Sequence, residues 1–332
     1  MIAAAATLAF LGFKGSFSTL MELVLIAAIL AFSGYVVIAG GTFSFAFVAF
    51  IGIGAYTGAI LTVDHGTNLL VPLLVSPLIA MAVAAVLAKP LERLSGVYLA
   101  LVSVAIISVL RVVLLNLTDL TGGAIGISGI PSTIKLPQLL VAVGLLALGF
   151  WLVQRSMVGR AMRLMRADPL VAESMGIDVQ RLRFWLFLAS AALGAVGGVL
   201  RASYFGFVVP GDYGFPMLIR ILAIVILGGV GHWSAPIVGA AVWTLLPEWL
   251  RPLGHWREVV TGVVLLLIIL LLPQGITGGV EDSYRRLLRR LKHRHDDDEV
   301  PAATNTSGST AHPPPSLAPD VGAPPATAGE SS

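Results

Sequence analysis

The chain has 332 residues, of which 57% are hydrophobic and 12% charged, with a formal net charge of +3. Soluble domains carry about 25% charged residues, so this chain lacks the polar side chains to cover a water-facing surface, and apolar windows of about 20 residues recur, the length a hydrocarbon core requires. Cysteine is absent, which excludes disulfide frameworks, thiolate metal sites and cysteine nucleophiles. The apolar segments do not alternate with polar residues as barrel strands would, so the spans are helical.

Residues 1–18 begin apolar, with Lys14 behind the apolar run. A secretory signal has its positive charge in front, so this stretch reads as an interfacial segment or a short extra helix. The first clear span covers residues 20–38, and Gly40-Gly41 break it. The Gly-rich segment GTFSFAFVAFIGIGAYTGAIL follows, with Gly54 and Gly58 four apart and Gly52 and Ala59 beside them. Small residues at this spacing let helix backbones approach closely in lipid. The same pattern fits a broken helix lining a transport path, for which Gly41, Ser44, Gly52 and Gly54 are the candidate residues.

A polar turn at residues 62–68 leads into a span over 69–88, then Lys89 and Arg93 with Glu92. The next span, 97–117, contains Arg111. A mid-membrane arginine costs ~2.5–3.5 kcal/mol on insertion scales, but this one is near enough to the helix end to snorkel or to pair with Asp119. The glycines and Pro131 of TDLTGGAIGISGIPSTIK forbid a regular helix before a span over 136–153.

Residues 155–183 then interrupt the apolar sequence: RSMVGRAMRLMRADPLVAESMGIDVQRLR. At helical spacing, Arg160, Arg163 and Arg166 share one face, and Ala161, Leu164 and Met165 lie opposite. Asp168 can cap a second helix, Pro169 fits its first position, and Gly176 can end it. That helix, over 169–175, shows Leu170, Val171 and Met175 beside Glu173 and Ser174. Isolated helices below about 12 residues are marginal, so this one has to dock. The alternative is a basic linker whose arginines only fix topology.

Beyond the loop come a span over 182–200 with Gly194, Gly197 and Gly198, the loop SYFGFVVPGDYGFP, and a span over 217–227. A second glycine break, GGVGHWSAP, precedes a span over 237–246; PEWLRPLGHWRE is a Trp-marked interfacial turn before the last span, 259–272. The tail holds Arg285, Arg286, Arg289, Arg290, Lys292 and Arg294, a basic cluster that favours anionic lipid, and then becomes rich in Pro, Ala and Ser, a disordered composition. The expected organisation is an N-terminal segment 1–18, an all-α polytopic membrane helix bundle over 19–280 with Gly-broken helices and about 8–10 transmembrane segments, and a cytoplasmic tail 281–332. The positive-inside rule places Lys89/Arg93, residues 155–183 and the tail cluster on the cytoplasmic side. An even number of crossings separates each from the next. Both glycine breaks then face the cytoplasm, and residues 118–135, 203–216 and 247–258 face outward.

The chemistry of common catalytic motifs is missing. No Gly-x-x-x-x-Gly-Lys-Ser/Thr phosphate loop, His-Glu-x-x-His or Gly-x-Ser-x-Gly pattern occurs, and His232 and His255 lie in turns. The arginines flank spans without interleaved aromatics, which argues against nucleic acid. No carboxylate lies in mid-span, where ion-coupled carriers commonly keep one. A pore driven by a separate motor fits best; an ion-coupled carrier is the alternative class, and a membrane-embedded enzyme lacks any acid–base or metal cluster.

Four blocks, in order, carry a family resemblance: GGTFSFAFVAFIGIGAYTGAIL, YLALVSVAIISVLRVVLLNLTDLTGGAIGISGIP, GRAMRLMRADPLVAESMGIDVQRLRFWLFLASAALGAVGGVLRASYFGFV and ILGGVGHWSAPIVGAAVWTLLPEWLR. Over most of residues 40–272 the chain resembles the LivM-type permeases of branched-chain amino acid ABC importers. The resemblance implies a cell-membrane permease subunit that binds no cofactor itself, with ATP and Mg held by two partner ATPase subunits. It also implies a second, LivH-like permease and an extracytoplasmic solute-binding protein. Gly159, Arg160, Glu173 and Gly176 fall where that family's coupling loop has similar residues. Gly41-Thr42-Phe43-Ser44 and His232-Trp233 depart from it, which leaves the solute open between branched-chain or other small amino acids and urea or short amides.

Overall fold

The computed structural model describes residues 2–91, 94, 96–131, 134–250, 254, 256–271 and 275–278, with the backbone alone described for residues 2–17 and 269. The chain divides into two units, Met1–Arg285 and Arg286–Ser332. The tail expected over 281–332, together with Glu92, Arg93 and His255, lies outside the described residues.

The protein is a polytopic helical membrane bundle. Its helices are α1 (Ile2–Ala39), α2 (Phe47–Val63), α3 (Leu70–Leu91), α4 (Gly96–Asn116), the single turn α5 (Thr118–Thr121) and α6 (Leu136–Arg155). They continue with α7 (Met157–Ala167), α8 (Pro169–Ser174), α9 (Val179–Phe205), α10 (Phe215–Gly228), α11 (Ala235–Trp249) and α12 (Arg257–Leu271). Among the described residues five helices are long and apolar enough to cross a membrane: the Ser18–Ala39 part of α1, α3, α4, α6 and α9. Helices α2 and α10 are apolar but shorter, at 17 and 14 residues. The segment expected at residues 1–18 is continuous with the first span: α1 contains no proline, and its glycines, Gly12, Gly15 and Gly34, are ones a helix tolerates.

Helix α9 is the axis of the bundle and packs on α1, α2 and α3. Its glycines explain why. A Cβ on Gly198 would meet the Ile51 carbonyl oxygen, one on Gly54 would meet the Ala195 backbone, and one on Gly194 would come within 3.2 Å of the Phe47 carbonyl oxygen. Lipid supplies no hydrophobic drive between helices, so backbone approach of this kind is what gives them contact area. Ser190 Oγ adds a 2.7 Å hydrogen bond to the Ser33 carbonyl oxygen, tying α9 to α1. Helix α11 meets α10 in the same manner, with Gly239 against the Ile224 carbonyl.

The first glycine break ends α1 in a defined motif. Gly41 is left-handed (φ 73°), its N–H reaches the Ile38 carbonyl, and the Thr42 N–H reaches the Val37 carbonyl at 3.1 Å. This is the Schellman pattern, which satisfies orphan carbonyls at a helix end. In the stretch up to α2 Phe43 is exposed, but Ser44 and Ala46 are buried, and the Phe45 N–H donates to Ser103 Oγ on α4 at 3.0 Å. Irregular backbone at membrane depth persists only under such cover.

Two features were not visible in the sequence. The loop over 118–135 pairs with the α9–α10 loop as a two-residue antiparallel ladder, β1 (Ile127–Ser128) to β2 (Phe207–Val208). Arg201 near the end of α9 forms an ion pair with Asp212 at 3.0 Å and donates to the Tyr213 hydroxyl at 3.2 Å. Burial pushes the Tyr213 phenol up to about 12, with Arg201 opposing, so the phenol stays neutral. Arg111 is exposed and is not paired with Asp119.

The packing predicts a contrast between two glycines. Gly198→Val should destabilise the detergent-solubilised protein by about 1–3 kcal/mol, the usual cost of overpacking. Gly144→Ala, whose Cβ would meet nothing within 4 Å, should leave the unfolding midpoint unchanged; equilibrium denaturation in mixed micelles compares them.

Candidate functional site

The polar loop forms a compact unit at one end of the bundle, here called the basic end. The chain leaves α6 through an extended residue, Ser156, and re-enters α7 so tightly that a Cβ on Gly159 would meet the Val153 carbonyl and the Gln154 backbone. Glycine is required there by contact with backbone, which cannot move aside.

Helix α7 is amphipathic, with a shifted inner face. Gly159, Met162 and Met165 are buried, while Ala161 and Leu164 are only partly so. The expected stripe of Ala161, Leu164 and Met165 is therefore rotated toward the two flexible methionines. They fill the space beside Val36, Val179 and Leu186. Arg160, Arg163 and Arg166 are exposed as expected, but they are engaged. Arg160 reaches Met157 Sδ, and Arg163 donates to the Gln154 carbonyl at 3.1 Å. Arg166 donates to the Val230 carbonyl at 2.7 Å.

Helix α8 is capped at both ends. Asp168 accepts from the Leu170 N–H at 2.8 Å and the Val171 N–H at 3.4 Å, and Pro169 takes the first position. At the other end Gly176 is left-handed (φ 80°). Its N–H reaches the Glu173 carbonyl at 2.9 Å and the Ile177 N–H reaches the Ala172 carbonyl at 3.1 Å, a second Schellman closure. Asp178 then caps α9 through the Arg181 N–H. The side chain that anchors α8 is Ala172, which is 0% exposed. Leu170 and Met175, at 75% and 65% exposed, point away with Val171. The chain itself thus supplies part of the docking that so short a helix needs, through its caps and Ala172, and leaves an apolar face uncovered.

This unit touches both glycine breaks. A Cβ on Gly41 would lie 2.8 Å from Arg166 Cα, and the same arginine holds Val230 in the second break. Tyr35 of α1 donates to the His232 carbonyl at 2.9 Å and accepts from Gln154 Nε2 at 3.2 Å. Tyr35, Gln154, Arg166 and Val230 border a cavity of about 280 Å³. Thr277 Oγ1 donates to the Gly228 carbonyl at 2.6 Å, closing the end of α10.

The four candidate path residues are not brought together. Gly54 is filled by the Ala195 backbone, Gly52 faces Leu110 and Tyr213, and Gly41 is braced on Arg166. Ser44 differs: with Thr42, Glu173 and Arg183 it lines a cavity of about 110 Å³. Thr42 Oγ1, Ser44 Oγ and Arg183 Nε are buried there without a hydrogen-bond partner among the described residues. Polar capacity is therefore held between α8 and the first break.

Apolar spanning helices, two glycine breaks and an outward-facing capped helix at one end define a multi-span membrane protein. Residues 16–272 match the family described as branched-chain amino acid transport system / permease component, and the chain belongs to that family. It is 30% identical over 261 residues to the high-affinity branched-chain amino acid transport system permease protein LivM of Escherichia coli (strain K12), covering 68% of this chain and 61% of the relative. It is 28% identical over 172 residues to a probable branched-chain amino acid transport permease protein LivH of Methanocaldococcus jannaschii, covering 49% and 53%. It is 28% identical over 192 residues to the autoinducer 2 import system permease protein LsrC of Enterobacter sp. (strain 638), covering 52% and 54%. The chain thus spans about three fifths of the length of the LivM relative and about half that of the other two. No solved structure matches it.

The capping geometry predicts that Asp168→Ala loses about 1 kcal/mol of local stability, read as faster amide exchange at Leu170 and Val171 while α9 is unchanged. Gly176→Val, which forces a β-branched residue to φ 80°, should release the same amides further.

Proposed function

We propose that this chain is the permease subunit of an ATP-driven importer, carrying branched-chain or related small amino acids across the cytoplasmic membrane. The observation that carries the reading is α8: a helix capped at both ends, fixed inward by Ala172, with Leu170, Val171 and Met175 left on its outer face. An apolar face held out in water at an electropositive end suits a groove on a partner protein. Two ATPase subunits, which hold ATP and Mg, press on it from the cytoplasm; a LivH-like second permease completes the path and an extracytoplasmic binding protein delivers solute. The basic end faces the cytoplasm, in keeping with the positive-inside rule.

The mechanism follows from what α7 and α8 hold. Gly159, Asp168, Pro169 and Gly176 shape the lever, and Arg163 and Arg166 tie it to backbone carbonyls. A push on α8 travels through Ala172 and Met165 to α7, and Arg166 delivers it to Gly41 and Val230 together. Both breaks move as a pair, so the path opens alternately. Glu173, bordering the cavity with Ser44 and Thr42, reports the state of the lever to the polar lining of the first break. The relative named for autoinducer 2 import indicates that solute varies within the family, and urea or a short amide is the competing solute class.

Leu170→Glu and Met175→Glu place a charge in the docking face without touching the core. Each should cut uptake in the assembled transporter by roughly tenfold or more, because a charge buried unpaired in an interface costs several kcal/mol, while membrane insertion is unchanged and ATP hydrolysis continues uncoupled. Normal uptake in both variants would remove the docking role. Uptake that persists without the ATPase and collapses with the proton gradient would replace this reading with an ion-coupled carrier.

A further inference from the structure

A cleft of about 550 Å³ opens at the end away from α8, between α1, α9, α10, α11 and α12. Its size falls in the range of small-molecule sites, and the coupling unit makes no use of it. Leu30 and Ile224 line its deeper part. Leu30 lies about 18 Å along α1 from Ser18 at 1.5 Å per residue, so the cleft reaches roughly half-way through the bundle. Higher up it is lined by Arg201, Arg220 and Arg257 against one carboxylate, Asp212.

The three guanidinium groups are not equivalent. Arg201 is committed to Asp212 and the Tyr213 hydroxyl. Arg220, on α10, and Arg257, at the start of α12, form no side-chain hydrogen bond or ion pair with any described residue. Two positive charges therefore face a cavity whose floor is aliphatic. Asp212 gives one oxygen, Oδ2, to Arg201 at 3.0 Å and keeps Oδ1 for another donor.

We propose that this cleft is the solute's entry site on the chain, and that it selects a zwitterionic amino acid with an aliphatic side chain, the carboxylate on Arg220, the ammonium toward Asp212 and the aliphatic body against Leu30 and Ile224. This rests on the importer reading above and deepens it. A carboxylate takes charge-assisted, fork-shaped bonds from a guanidinium, which a neutral urea or amide cannot match. The selection against the competing solute class then comes from Arg220 and not from the size of the cleft.

The test uses the full chain with its partner subunits in phosphatidylcholine proteoliposomes, following initial uptake of radiolabelled L-leucine. Arg220→Gln should raise the KM by about tenfold, the loss of one charge-assisted contact, with kcat retained, and Arg220→Lys should recover part of that loss. Isoleucine should compete with leucine, whereas leucinamide, which lacks the carboxylate, should not. An unmoved KM in Arg220→Gln, or leucinamide competing as well as isoleucine, overturns the proposal. If Arg220→Gln fails to insert, Arg257→Gln is read in the same way. A cleft that instead retains phosphatidylglycerol through purification, lost in Arg220→Gln while the leucine KM stays fixed, is a lipid site and the proposal falls. The two readings fail separately: ATP-dependent uptake with an unmoved KM keeps the importer and removes the site. Equilibrium leucine binding that Arg220→Gln abolishes, without ATP-dependent uptake, keeps the site and removes the importer.

Discussion

The close crossing of α2 and α9 is the contact on which the rest of the bundle depends. Gly54 lies on the Ala195 backbone, and Gly198 lies on the Ile51 carbonyl, so the two helices meet through main chain at two levels. No larger residue can keep that separation, and in lipid the separation sets the packing energy. The crossing also sets the depth at which α2 begins. Phe47, its first residue, lies beside Gly34 of α1 and Gly194 of α9, inside the bundle. The stretch over residues 40–46 therefore has to run as irregular backbone within protein, and the Ser103 hydroxyl meets the Phe45 N–H there.

That break is one of three places where the chain stops a helix abruptly. The chain ends α1 and α8 by the same device, a left-handed glycine closing a Schellman motif at Gly41 and at Gly176, and ends α10 at a glycine of positive φ but extended ψ, Gly229. Each is a sharp stop in backbone, with no side chain to cushion it. Arg166 touches the first and bonds next to the third, while Met165 of the same helix shares a core cluster with Ala172 of α8, the helix that the second one ends. Two of the stops, at Gly41 and beside Gly229, are joined by one arginine, and close-packed interiors transmit strain between such points.

Much of this is legible in the amino-acid sequence. The Asp168-Pro169 pair and Gly176 bound α8 because capping is a local property of a few residues, and the structure places both caps where the pattern did. The two glycine breaks were visible for the same reason. What escaped notice depends on contacts between distant segments. Ile127–Ser128 pairs with Phe207–Val208 across an interval no local pattern spans. Arg201 and Asp212 sit in what reads as a span end and a loop, and only the fold turns Arg201 back onto Asp212 and Tyr213. The inner face of α7 lies a fraction of a turn from where periodicity puts it, since periodicity cannot tell which of several apolar residues a neighbour will cover, and the flexible Met162 reaches further than Ala161. The glycines of α2 read equally as packing or as path; Gly54 is packing, and the signal that separates it from Ser44 is the opposing backbone of α9.

The two ends of the bundle treat arginine in opposite ways, and α10 joins them. At the basic end the guanidiniums of Arg163 and Arg166 are spent on backbone carbonyls, which makes them structural ties. At the other end Arg220 and Arg257 face a cavity. Helix α10 runs from one to the other in 14 residues, about 21 Å at 1.5 Å per residue, with Arg220 and Ile224 in the cleft and Gly228 at the second break. A helix that short behaves as a rod. In the proposed cycle, a shift of Val230 under Arg166 tilts the rod at its glycine end and carries Arg220 and Ile224 with it against Leu30 of α1. Affinity in the cleft and the position of α8 are then two readings of one tilt, so solute and motor are linked through α10 without contact between them.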